Sequence, residues 1–244
     1  MRQLTFEGSN SDPSWSPDGQ WVTYSSRREG TAIIYRQRAD GRGVAEALTE
    51  AVEDRPQYYP VWAPDGRLTY QSPNEEGSID IWIVSIPLGE PEVLVGGEGT
   101  QEAVAFSDDG QAMAYASSQS GNYYQVMVAP FPPDGSSTRV SAAGVDSDWP
   151  VWSGQGDSLY YQFIGSGGQF ASVDISLPDF EISNRRQFPF TGVPTTRRLS
   201  AIPNTNQLVF AIPVLNNGES DAPSTEIIFV ENWLEELKQR VPKE

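Results

Sequence analysis

The groups in this chain that can do chemistry are carboxylates. Asp12, Glu102 and Asp148 each stand a few residues ahead of a Trp or Phe in a recurring pattern, among further acids at Glu7, Glu50, Glu53, Asp54, Glu98 and Asp146. Two carboxyls facing each other across a cleft can act as acid and base, the arrangement used for glycoside hydrolysis. Carboxylates dispersed around an opening instead draw in cations, either a basic side chain or a divalent ion. Asp146-Ser147-Asp148 has acids at alternate positions but lacks the Gly and closing Glu of a calcium loop. No cofactor is therefore expected, with a divalent cation as the alternative. Tyr58, Tyr59 and Trp149 lie beside the acids and offer contact area, and Arg197 and Arg198 can grip a carboxylate.

What is missing narrows the chemistry. The chain has no cysteine and no histidine, which removes thiol chemistry, the Ser-His-Asp triad and His-based zinc sites. Gly165-Ser166-Gly167-Gly168 is Gly-rich but has no Lys behind it and falls between two predicted strands, so it reads as a turn and not a phosphate loop. There are 33 acidic residues against 16 basic ones, a net charge of −17. That balance excludes DNA, RNA and anionic membrane surfaces as partners. No apolar run has membrane-spanning length, and Met1 to Glu7 lacks the apolar stretch of a signal peptide. A protein or peptide partner and a monomeric state are the expectation.

The elements that hold these residues repeat. Pro13-Ser14-Trp15-Ser16-Pro17-Asp18-Gly19 recurs as Pro60-Val61-Trp62-Ala63-Pro64-Asp65-Gly66, as Val104-Ala105-Phe106-Ser107-Asp108-Asp109-Gly110 and as Pro150-Val151-Trp152-Ser153-Gly154-Gln155-Gly156. A worn fifth copy runs from Leu199 to Thr205. The aromatic column stands at 15, 62, 106, 152 and 201, so the steps are 62−15=47, 106−62=44, 152−106=46 and 201−152=49. Such a period, with strand signals and no helical pattern, predicts one four-stranded propeller blade per copy. Within a copy the Asp hydrogen-bonds the turn backbone and the Gly takes positive φ, so these aspartates read as hairpin devices and not as catalysts.

The predicted fold is an all-β propeller in a single domain. Its blades cover about 13–49, 60–95, 104–141, 150–190 and 197–231. The fifth lacks a fourth strand, which residues 3–6 are expected to supply, and a short helix over 232–240 follows. The segments leading into the innermost strands, Glu7 to Asp12, Glu50 to Tyr59, Gly96 to Glu102, Ala142 to Trp149 and Thr191 to Arg197, carry the acids. As loops at the channel mouth they make Asp12, Tyr58, Tyr59, Glu102, Asp148, Trp149, Arg197 and Arg198 the candidate binding residues, with no catalytic or metal residue assigned. The alternative is a five-bladed glycosidase drawing its pair from Asp12, Glu102 and Asp148.

The Trp-Ser-Pro-Asp-Gly hairpin with its aromatic-ended second strand resembles the TolB-type propeller repeat. The ending Asn232-Trp233-Leu234-Glu235-Glu236-Leu237-Lys238, with Val241-Pro242 behind it, is similar to the tail of propellers fused behind bacterial eukaryotic-like serine/threonine kinases. The resemblance implies a non-catalytic binding or sensor module with a peptide or protein at the channel mouth, on the periplasmic or extracytoplasmic side.

Overall fold

The structure is a computed structural model that describes residues 4–87, 89–118, 123–165, 169–188, 199–201 and 208–210. Each of the first four copies folds as an antiparallel four-stranded meander. The first holds β1 (Asn10–Trp15), β2 (Trp21–Ser26), β3 (Ile33–Arg38) and β4 (Glu46–Ala47), and the second β5 (Tyr58–Trp62), β6 (Leu68–Pro73), β7 (Ile79–Val84) and β8 (Glu92–Val95). The third holds β9 (Gln101–Phe106), β10 (Ala112–Ser117), β11 (Gln125–Pro130) and β12 (Thr138–Arg139). The fourth holds β13 (Ser147–Trp152), β14 (Ser158–Phe163), β15 (Phe170–Ser176) and β16 (Glu181–Phe188). Of the fifth copy, β17 (Leu199–Ala201) pairs with β18 (Leu208–Phe210).

The repeated turn works as its residues require. Asp18 Oδ1 accepts hydrogen bonds from Ser16 Oγ and from the Gln20 amide at 3.0 Å, while Ser16 Oγ accepts the Trp21 amide at 3.0 Å. Ser107 and Asp109 reproduce all of this, with the Gln111 and Ala112 amides each at 3.0 Å. In the second copy Ala63 replaces the serine, and Asp65 still accepts the Arg67 amide at 3.0 Å. Gly110 has φ of +73°, and a Cβ there would come within 2.8 Å of Pro64, so the turns of neighbouring sheets touch.

The second and third sheets bury both faces, each against the sheet before it and the sheet after it. On β10 the side chains alternate: Ala112 and Ala114 pack with Leu159, Tyr161, Val173 and Trp152 of the fourth sheet. Met113 and Tyr115 point the other way, toward Ile81 and Ile83 of the second. Small residues on one side and large on the other let the sheets approach and interdigitate. A third layer joins Ile34 and Leu48 to Leu68, Tyr70 and Val84. The recurring tryptophans stitch these layers, since Trp62 Nε1 donates to Thr23 Oγ1 at 2.9 Å and Trp152 Nε1 to the Ala105 carbonyl at 3.3 Å, each on the preceding sheet.

One expectation is revised. The innermost strands begin earlier than the sequence suggests, at Asn10, Tyr58, Gln101 and Ser147, so the candidate residues preceding each Trp or Phe belong to strands and not to loops. Leu4 to Phe6 form no strand. The segment expected to pair with them, and the helix expected over 232–240, lie outside the described residues.

Candidate functional site at the channel mouth

Each inner strand carries the same irregularity. The pairing register shifts between Ser11 and Ser14 in β1, between Tyr58 and Val61 in β5, between Asp148 and Val151 in β13, and opposite Ala114 and Ala116 in the β9 pair. At each bulge one non-glycine residue takes the left-handed conformation: Asp12 at φ +55°, Tyr59 at +52°, Ala103 at +55° and Trp149 at +55°. All four stand three positions before the aromatic column (15−12, 62−59, 106−103 and 152−149). A side chain there costs about 1–3 kcal/mol, and a bulge re-aims the residue it contains.

The strand entrances are held by a second repeated device. Asn10 Nδ2 donates to the Glu7 carbonyl, Gln57 Nε2 to that of Glu50, Gln101 Nε2 to that of Glu98, and Ser147 Oγ to that of Val145, at 2.9–3.1 Å. These polar side chains occupy one column, five positions before the Trp or Phe, and each ties the incoming loop to its strand. The column contains no chemistry-bearing pattern of its own, which is why sequence reasoning passed over it.

The structure brings the candidates together in pairs. Tyr59 and Trp149 meet over the intervening strand with ring centroids 5.2 Å apart and planes at 65°, an edge-to-face contact above the small Ala103. Glu102 stands beside Asp148, close enough for its charge to act on the buried carboxyl. Asp148 is 3% exposed and also accepts the Trp149 amide at 2.6 Å. Burial first, and then the Glu102 charge, push its carboxyl up to about 8. Tyr124 stands beside the pair, and its phenol is pushed up to about 12 by burial and by both carboxyls. Its amide donates to Asp146 Oδ1 at 2.7 Å.

Two other candidates contact other residues. Tyr58 receives a hydrogen bond from Arg27, whose guanidinium also lies over the Tyr58 ring. Asp12 accepts from Ser11 Oγ at 2.9 Å. Arg197 and Arg198 lie outside the described residues. Among the described residues no group of three or more acids is placed to hold a metal ion.

Below the aromatic pair a cavity of about 300 Å³ runs between β5, β9 and β13. Tyr59 and Trp149 line its bulge end, and Asp108 lines it at the hairpin end. Asp108 and Tyr124 were not singled out from the sequence. The signal for Asp108 was present, because it replaces the proline found at Pro17 and Pro64 in the same turn.

No family model matches the chain. An uncharacterized protein of Agrobacterium fabrum is 30% identical over 120 residues, spanning 45% of this chain and 40% of its own length. An uncharacterized peptidase of Bacillus subtilis is 28% identical over 159 residues, 64% of this chain and 22% of that protein. The chain thus spans well under half the length of these relatives. Among solved structures, a putative TolB from Agrobacterium tumefaciens matches with TM-score 0.62 and 22% identity, covering 74% of this chain and 67% of that one. TolB from Acinetobacter baumannii matches with TM-score 0.60 and 22% identity, over 76% and 44%. A gluconolactonase from Xanthomonas campestris matches with TM-score 0.62 and 16% identity, over 85% and 71%. Propellers of this shape therefore include an enzyme, and the likeness concerns architecture. Four antiparallel four-stranded sheets joined through buried faces, and the TolB neighbours, make this chain a TolB-like β-propeller in fold.

Proposed function

We propose that this chain is a non-catalytic binding module that takes a segment of a protein or peptide at the channel mouth. The observation that carries the proposal is the Tyr59–Trp149 pair, two large rings presented by strained bulges of separate sheets at one end of a cavity. Strained backbone persists where the surroundings over-determine it, often at binding sites, and rigid aromatics give contact area at low entropic cost. The glycosidase alternative needs carboxyls about 5–10 Å apart with the sugar between them. Glu102 and Asp148 instead stand as interacting neighbours with Asp148 buried, which supports recognition over hydrolysis by that pair. The kinase-sensor role implied by the ending of the chain rests on residues outside the described ones.

The test is selection of random peptides on the full chain, followed by affinity measurement against Tyr59→Ala/Trp149→Ala. We expect enriched sequences whose affinity falls about 30-fold or more in the double variant, the scale of an aromatic hot spot. Peptides that bind both proteins equally, or no enrichment at all, would overturn the proposal.

A further inference from the structure

The cavity beneath the mouth has a composition that specifies more than shape. Its walls include Tyr59, Phe106, Trp149 and Trp152, together with Pro60 and Pro150. Tyr59 and Trp149 meet nearly edge to face, so their two rings form a corner. At the other end Asp108, an exposed residue, lines the cavity. No Lys or Arg is among the described residues that line it. Aromatic faces attract cations through their quadrupole, more strongly where water is displaced, and a carboxylate within the same walls adds a full charge.

We infer that the cavity is a site for an organic cation: an alkylammonium or guanidinium group on an apolar stem, with its charge between the aromatic walls and Asp108. The inference rests on the channel-mouth reading in sharing Tyr59 and Trp149, and adds the chemical class of what enters. The cation comes either from a free small molecule or from a Lys or Arg side chain of a bound peptide. Asp108 is held above the ordinary carboxylate range by burial and by Asp109 beside it, a disposition that an arriving cation would relieve. The turn does not need an acid at this position, since Pro17 and Pro64 fill it in the sister copies. Asp108 is thus spare for the fold.

The experiment compares charged and neutral ligands of equal shape on the full chain, followed by calorimetry and by tryptophan fluorescence. Choline is set against 3,3-dimethylbutan-1-ol, its uncharged counterpart. A short peptide with a central Lys is set against the same peptide with norleucine. We expect the charged member to bind about tenfold tighter in at least one pair, and Asp108→Asn to abolish that preference while the melting curve is retained. A preference confined to choline assigns a free small cation, and one confined to the peptide assigns a partner side chain. Equal binding of charged and neutral members, no binding of either cation, or a preference unchanged in Asp108→Asn would each overturn the inference. A norleucine peptide that binds as well as its Lys form and depends on Tyr59 and Trp149 would overturn it while leaving the mouth as a binding surface.

Discussion

Among single residues, Asp148 is the one whose environment makes the strongest thermodynamic demand. Its ordinary value in an unfolded chain is about 3.9, and in the fold burial and Glu102 push it up to about 8. Folding therefore favours the protonated form. The stability this contributes is full below the unfolded value and is lost progressively as pH rises from about 4 toward 8. Asp148→Asn keeps a hydrogen-bonding group beside Glu102 without the titration. Relative to wild type, the variant should gain stability as pH rises, by up to about 1.4 kcal/mol per pH unit, with the difference levelling off above about 8. Urea denaturation of both proteins from pH 5 to 9 reads this directly. Parallel curves would show that the Asp148 proton is not held as described.

The strand-and-sheet layout was legible in the sequence because its causes are local. Each of the first four copies forms the four-stranded sheet that its period predicts, since the Ser-Pro-Asp-Gly turn and the period-2 alternation fix register over a few residues. The inner-strand starts were not legible. Tyr58-Tyr59-Pro60 and Asp146-Ser147-Asp148 read as loop because proline and acids are poor strand formers, and a bulge hides the alternation. Pairing with β6 and β14 overrides that local preference. Which of Asp12, Glu102 and Asp148 would meet was not legible for a different reason: Glu102 and Asp148 lie 46 residues apart (148−102) and come together because neighbouring blades place equivalent positions side by side. At this scale the layer between the third and fourth sheets is the feature most open to challenge. Ala114 is fully buried and faces the side chains of the next sheet, so Ala114→Leu should cost about 1–3 kcal/mol in urea denaturation. A neutral result would mean that the two sheets are not packed face to face.

For the molecule as a whole, the excess of acids reaches farther than any one site. A net charge of −17 sets up a negative field that concentrates cations near the surface and speeds their capture. Its reach is about 30 Å at 0.01 M salt and about 8 Å at physiological strength. The association rate of a Lys-bearing peptide selected on the chain should therefore fall as salt is raised, while its dissociation rate changes little, in stopped-flow measurements. A salt-independent association rate would confine the charge effect to the pocket.

The bulges carry one further consequence. Asp12, Tyr59, Ala103 and Trp149 share one backbone conformation at equivalent places in successive blades, yet they are an acid, a phenol, a methyl group and an indole. Side chains at other positions pin the turns and the strand entrances, the turn serines and aspartates and the column of Asn10, Gln57, Gln101 and Ser147. The bulge positions are thus distinct from the side chains that pin the turns and strand entrances. A lineage built on this plan can change its ligand by point substitution at the bulges and leave its architecture untouched.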